Sequence, residues 1–200
     1  KPILDNQKKF INTKLTDISS TQLQSNLPII NMNIQGANSI LTFTEDIKIF
    51  CWGQDFYAAL IEDIKNAKQT IYMEYFIWND DKIGSQKLLC QKVLEGVKVK
   101  IIYDDIGSLR TNRRFFNPLK KAGGIVLPFF NIRKGFAFSV NFRNHRKITI
   151  IDNKIAYSGG INIGDEYANC SDKQKWKYTT WRDTQFRLTG NTVFIFQSIF

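Results

Sequence analysis

The sequence predicts an α/β domain, with a mixed and largely parallel sheet flanked by helices, because three features recur along most of its 200 residues. Short β-branched or aromatic runs alternate with stretches of helical periodicity of about 10 to 15 residues, the pattern of layered α/β domains. Glycines stand where helices must stop, at Gly96 and at Gly123-Gly124. No stretch approaches the roughly 20 consecutive apolar residues of a membrane-spanning helix, so nothing in this segment is expected to cross a bilayer.

Residues 1–38 are polar, Asn/Gln/Thr-rich and weakly periodic, which points to a linker or strap with one short helix, ahead of a domain over residues 39–200. Ser39 to Phe43 and Ile47 to Phe50 read as short strands. Between Gln54 and Ala67, Phe56, Ala59, Leu60, Ile64 and Ala67 keep helical spacing. Thr70 to Ile77 reads as a strand, Gly84 to Leu94 as a helix, and Val97 to Tyr103 as the next strand. A helix over Asn112 to Ala122 follows, then strands over Ile125 to Phe129, Lys147 to Ile151 and Thr184 to Leu188. There is no internal repeat. The chain opens on Lys1 and closes inside the apolar run Thr192 to Phe200, so both ends are expected to be cut from a longer protein that could carry membrane spans upstream.

Cys51, Cys90 and Cys170 are odd in number and far apart, giving neither a disulfide framework nor a zinc pattern; they read as reduced, mostly buried thiols of an intracellular protein. One histidine and dispersed cysteines give no basis for a metal centre, and no cofactor is expected. The net charge of +10 is concentrated. From Ile106 to Ile151 there is no Asp or Glu, yet the window holds ten basic residues: Arg110, Arg113, Arg114, Lys120, Lys121, Arg133, Lys134, Arg143, Arg146 and Lys147. Phe115, Phe116, Phe129, Phe130, Phe136, Phe138 and Phe142 are interleaved with them. Such a segment is expected to face an anion, nucleic acid or an anionic membrane surface, although a solvated basic face is the plainer reading of a charge run.

The single histidine lies in Asn144-His-Arg-Lys-Ile-Thr-Ile-Ile-Asp152, the pattern H-x-K-x4-D, and Gly159-Gly160-Ile161-Asn162 follows seven residues after the aspartate. Side chains alternate along a strand, so His145 and Lys147 share one face. Asp152 is an odd number of residues from both and points away, toward a supporting role. The glycine pair permits a tight turn that returns Asn162 to the same place. A neutral imidazole can attack phosphorus, and Lys147 and Asn162 would stabilise the charged oxygens of the transition state, with no metal required. The bland alternative is a surface histidine beside basic neighbours. A carboxylate on the other ring nitrogen would set the tautomer, and Asp183, which opens a strand, and Glu166 are the two candidates. Asp104 and Asp105, at the end of a strand, read as a turn with an Asp cap rather than as catalytic groups.

Five segments, in order and spacing, resemble bacterial cardiolipin synthases of the phospholipase D superfamily: Met73-Glu-Tyr-Phe-Ile77, Gly96 to Ser108, Asn141 to Lys147, Gly159 to Tyr167 and Trp181-Arg-Asp-Thr184. The likeness runs from about Ile40 to Phe200, with the motif region at about 139–166. It implies one half of a phospholipase D fold, the first of two H-x-K-x4-D motifs, with the second half of the same polypeptide as partner. In that family His145, Lys147, Asp152 and Asn162 would form the motif, and an acid at the position of Asp183 would orient the histidine. The implied reaction joins two phosphatidylglycerol molecules into cardiolipin and glycerol through a phosphatidyl-histidine. It implies an enzyme of the cell membrane acting on anionic phospholipid, with no nucleic acid expected. The rival is a phospholipase D-type nuclease completed by homodimerisation, its basic window tracking a phosphate backbone. A membrane-binding scaffold with a relic motif is the non-catalytic alternative.

Overall fold

In a computed structural model, residues 21–37, 39, 41–131, 143–169 and 181–200 are described. The strands are β1 (Thr44–Phe50), β2 (Thr70–Tyr75), β3 (Lys98–Asp104), β4 (Ile125–Phe129), β5 (Lys147–Ile151), β6 (Ile155–Gly159) and β7 (Gln185–Gly190). The α-helices are α1 (Thr21–Ala37), α2 (Gly53–Asn66), α3 (Lys87–Leu94), α4 (Asn117–Ala122) and α5 (Val193–Ile199), with 3-10 turns at Arg113–Phe116 and Asp165–Ala168. The chain divides into two units at Phe43. In the first, α1 carries Pro28 inside it, and the Asn33 amide donates to the Ile29 carbonyl at 2.9 Å. The second holds the sheet.

All seven strands form one sheet, in the order β1-β7-β6-β5-β2-β3-β4. Helix α2 forms because Phe56, Tyr57, Leu60 and Ile64 recur at helical spacing and bury together, with Asp55 in the first turn and Lys65 in the last to suit the helix dipole. It packs with α3 and α4 over one face of the sheet, where Ile71, Met73, Tyr75, Ile101 and Tyr103 are buried. The opposite face buries Ile148, Ile150, Ala156 and Leu188 against Val193 of α5. Strand β5 is therefore buried along its whole length.

The mixed α/β class holds, but the parallel part is confined to β2, β3 and β4, joined by crossovers through α3 and α4. The pairs β2/β5, β5/β6, β6/β7 and β1/β7 are antiparallel. For β5 and β6 the cause is local to Asp152-Asn153. Both residues adopt left-handed backbone angles, φ 53° and 55°, and the Lys154 N–H closes onto the Ile151 carbonyl at 3.0 Å. That is the type I′ turn of a tight hairpin, too short for the crossover a parallel pair needs.

Other boundaries moved for similar reasons. Residues 41–43 are not strand; β1 is one strand from Thr44, with its register shifted between Thr44 and Ile47. The expected helix over Asn112 to Ala122 splits into a 3-10 turn, capped by the Asn112 side chain accepting from the Arg114 N–H, and α4, which has Pro118 in its first turn. Strand β6 was not foreseen, and the apolar run at the end of the chain is helix α5. Cys51 and Cys90 are unbridged and partly buried, whereas Cys170 lies outside the described residues. Among the described residues no helix is long and apolar enough to cross a membrane.

Candidate active site

The H-x-K segment enters β5 beside β2, with Lys147 paired to Tyr75. One residue beyond that pairing, Phe76 leaves the strand, and its ring is where the side chains of the motif gather. The His145 ring lies 4.7 Å from the Phe76 ring, the Lys147 ammonium 5.2 Å from its centroid and the Arg143 guanidinium 5.0 Å from it. His145 is exposed to solvent while Lys147 is only 4% exposed, so the imidazole is at the surface and the ammonium is buried. Lys147 also donates to the His145 carbonyl at 2.7 Å, which holds the two residues together.

Asn162 is buried against the same stretch. Its side-chain oxygen accepts from the Ile77 N–H at 3.0 Å, and its amide donates to the Tyr167 hydroxyl at 3.2 Å. The glycine pair is what lets this turn close: Gly159 has φ 150°, and a Cβ at Gly160 would overlap the Asp183 carboxylate. Asp183 caps its own strand by accepting from the Thr184 N–H at 2.7 Å.

Asp152 is at the opposite end of β5, roughly 16 Å of strand from Lys147. Its carboxylate accepts from the backbone N–H groups of Lys68 at 2.7 Å, Gln69 at 2.7 Å and Thr70 at 2.8 Å. It ties the start of β2 to the end of β5 and touches none of the groups around Phe76. Glu166 is exposed and turned toward Asn79, whose amide reaches it at 3.5 Å.

Asp104 does more than cap a turn. It accepts from the N–H groups of Ile106 at 3.0 Å and Gly107 at 2.8 Å, as an Asp turn should, but it also receives Arg143 at 2.7 Å and the Asn144 N–H at 3.0 Å. The Asn144 side chain is held in turn by buried Glu74. The residues immediately before His145 are thus fastened at two points to β2 and β3. Asp105 pairs with Arg113. Three cations of the basic window are therefore engaged by acids lying outside it, since Arg146 also lies 3.6 Å from Glu74. Arg133, Lys134, Phe136, Phe138 and Phe142 lie outside the described residues.

The electrostatics follow from this packing. Burial lowers the His145 pKa below its ordinary value, and the neighbouring charges of Lys147 and Arg143 add to that, against the opposing pull of Asp104. The imidazole is accordingly neutral at neutral pH. Burial brings the Lys147 ammonium down to about 8, and the negative charge of Asp183 resists the fall. Asp183 bears on Lys147 and on Tyr167, whereas the acid whose field reaches His145 is Asp104. The arrangement thus provides a neutral nitrogen at the surface with a buried cation beside it, a combination suited to an anionic electrophile. Among the described residues no cluster of His, Cys, Asp or Glu could hold a metal ion.

Sequence reasoning named His145, Lys147 and Asn162 together and missed Phe76, Glu74 and the reach of Asp104. Phe76 carries no chemistry of its own in the sequence. Asp104 had a signal, an aspartate ending a buried strand opposite a segment of arginines, that was attributed wholly to the turn.

The chain is similar to known proteins over most of its length. Residues 60–174 match the family model described as cardiolipin synthase, PLD-like domain. A cardiolipin synthase of Listeria monocytogenes (strain HCC23) is 38% identical over 198 residues, 98% of this chain and 40% of the relative. The major cardiolipin synthase of Bacillus subtilis is 34% identical over 99% of this chain and 41% of its own length. The chain therefore spans about two fifths of these relatives. In fold it resembles phosphatidylserine synthase of Haemophilus influenzae (TM-score 0.60, 21% identity, 84% of this chain and 39% of that one). It also resembles NucT of Helicobacter pylori (TM-score 0.56, 19% identity, 77% and 92%).

Proposed function

We propose a phosphatidyl-transfer function for this chain, which belongs to the cardiolipin synthase family of phospholipase D-like domains. It would be one catalytic half of a longer enzyme that converts two phosphatidylglycerol molecules into cardiolipin and glycerol. The observation that carries this reading is the convergence of His145 and Lys147 on the Phe76 ring, within a motif shared with a family of lipid synthases.

In this reading a ring nitrogen of neutral His145 attacks the phosphorus of a phosphatidylglycerol. A phosphorus–nitrogen bond forms and the phosphorus–oxygen bond to the departing glycerol breaks. The glycerol oxygen takes a proton from a general acid, the role assigned to the histidine of the second half. The terminal hydroxyl of a second phosphatidylglycerol then gives its proton to that same group and attacks phosphorus, releasing His145 and forming cardiolipin. Lys147 and Asn162 face the phosphoryl oxygens as preformed donors, where charge accumulates in the transition state. Asp152 contributes by holding β5 to the β2 loop, and Asp183 by sustaining the charge of Lys147. The enzyme would work at the cell membrane, its substrate an anionic phospholipid, with spans supplied by residues outside this chain.

The test is turnover by the full-length gene product on phosphatidylglycerol vesicles. His145→Asn should reduce cardiolipin formation by several orders of magnitude without changing vesicle binding. Unchanged turnover, or cleavage of DNA without any lipid product, would remove the proposal.

A further inference from the structure

Lys147 is a buried cation with little to offset its charge. Among the described residues its ammonium makes one hydrogen bond, to the His145 carbonyl at 2.7 Å, and no ion pair. A charge taken out of water is costly unless a partner answers it. The charged and titratable groups gathered nearby are His145, Arg143 and Asp104, whose fields meet at the imidazole, and Asp183 ahead of β7, whose charge reaches the ammonium through space. Tyr75, its neighbour on β2, has its hydroxyl 2.8 Å from the Thr149 side-chain oxygen. The surface that meets the ammonium is the Phe76 ring, whose centroid lies 5.2 Å away.

That ring is built into the fold. The loop after β3 closes on Phe76 so tightly that a Cβ at Gly107 would lie 2.2 Å from the Phe76 carbonyl oxygen and 3.0 Å from the ring atom Cδ2. Ser108 joins the two segments, its hydroxyl accepting from the Trp78 N–H at 3.0 Å and donating to the Phe76 carbonyl at 3.4 Å. Arg143 lies over the same ring while Asp104 holds its guanidinium, and the imidazole packs against the ring at a tilt of 55°. An aromatic face attracts a cation within about 6 Å of its centroid through the ring quadrupole. A carboxylate in its place would take up N–H donors of the ammonium and cancel its field. A ring carries no net charge, and it leaves the remaining N–H groups open to an incoming anion.

We infer that Phe76 is a positioning residue for the reaction proposed above: its ring seats the Lys147 ammonium beside the His145 imidazole, as a carboxylate would, without occupying its N–H donors. The inference rests on that reading for the identity of the anion and on the ring geometry for the seat. Phe76 acts through Lys147 and need not touch the substrate. A ring that only filled space could be exchanged for any side chain of similar volume, whereas a seat requires the electron density of its face.

The test reads Lys147 directly, in the full chain labelled with isotopic lysine. Its ε-carbon resonance, assigned by its loss in Lys147→Arg, is followed by NMR between pH 6 and 11, with a midpoint expected at about 8 in the wild type. Phenylalanines carrying one, two and three fluorines at position 76 keep the ring's shape while draining its face of negative charge. The charged amine loses an attraction at each step, so the midpoint should fall stepwise, by about 0.5 to 1 pH unit at the third. Phe76→Leu should fall by a similar amount and Phe76→Tyr should stay with the wild type. The fluorinated rings preserve the packing, so they keep the test open should Phe76→Leu fail to fold, and circular dichroism checks each variant. In the full-length gene product the trifluorinated variant should lower kcat on phosphatidylglycerol vesicles about twofold to fivefold at pH 8 and hardly at all at pH 6, with KM nearly unchanged. A midpoint that stays in place along the fluorine series would overturn the inference, since packing alone is indifferent to the ring's electrons. Absence of turnover in the wild type is a failure of the reaction, and a flat titration in an active enzyme is a failure of the seat.

Discussion

Replacing Asp104 with Asn should destabilise the domain and displace the loop before His145 together, because one carboxylate serves both. Asp104 is 1% exposed and its oxygens accept from Ile106, Gly107, Asn144 and Arg143. An Asn keeps one of those oxygens as acceptor and sets an NH2 group against the donors on the other. Removing one partner of a buried ion pair costs about 3–5 kcal/mol, and since Arg143 is 24% exposed, water recovers part of this, leaving about 2–4 kcal/mol. Burial raises the Asp104 pKa, but Arg143 and the N–H groups of Gly107 and Asn144 outweigh it and hold the carboxyl below the ordinary range. A depressed folded pKa stabilises above the unfolded value and loses that contribution as pH falls through the folded one. Wild-type stability should therefore fall below about pH 4, the ordinary range of an aspartate, more steeply than that of Asp104→Asn. Urea unfolding between pH 3 and 7, with turnover measured alongside, tests both points. A change under about 1 kcal/mol at pH 7, or a variant of full activity, would refute the claim that Asp104 fastens the His145 loop.

The rate should follow a bell against pH in the full-length enzyme. The acid limb lies below about 6.5, where His145 gains a proton and ceases to be a nucleophile, and the alkaline limb lies near 8, where Lys147 loses its charge. Asp183→Asn should move the alkaline limb to lower pH; movement of the acid limb instead would couple Asp183 to His145. Asp152→Ala should cost about 2–4 kcal/mol in unfolding free energy by stranding three backbone donors, while leaving the pH limbs in place. Gly160→Ala should lower the thermal midpoint by crowding the Asp183 carboxylate, and the added change Asp183→Ala should restore much of it.

How much of this could be read beforehand depends on the range of the interaction. Strands β4 and β5 agree with their expected bounds because β-branched runs and turn residues are local signals. The parity argument that separated Asp152 from His145 and Lys147 needs only the period of a strand, and the carboxylate is found on the loop before β2. What escaped was set by distant partners. Strand β6 is five residues long and ends in Ser-Gly, a weak strand signal, and the Asp152-Asn153 turn that creates it lacks the glycine that usually marks a two-residue hairpin turn. That absence also hid the antiparallel pairing of β5 with β6. Asp104 and Arg143 are 39 residues apart, and no local periodicity announces such a pair. Phe76 lies just past the end of β2, where its neighbours come from β5 and the loop before it.

The central claim is that His145 and Lys147 grip a phosphorus from the same side of Phe76. A crystal of the protein soaked with tungstate, a mimic of the five-coordinate phosphoryl transition state, would examine it directly. We expect the metal atom bonded to a ring nitrogen of His145, with Lys147 Nζ and the Asn162 amide within hydrogen-bond reach of its oxygens. A vacant site, or an imidazole and an ammonium turned away from one another, would contradict it.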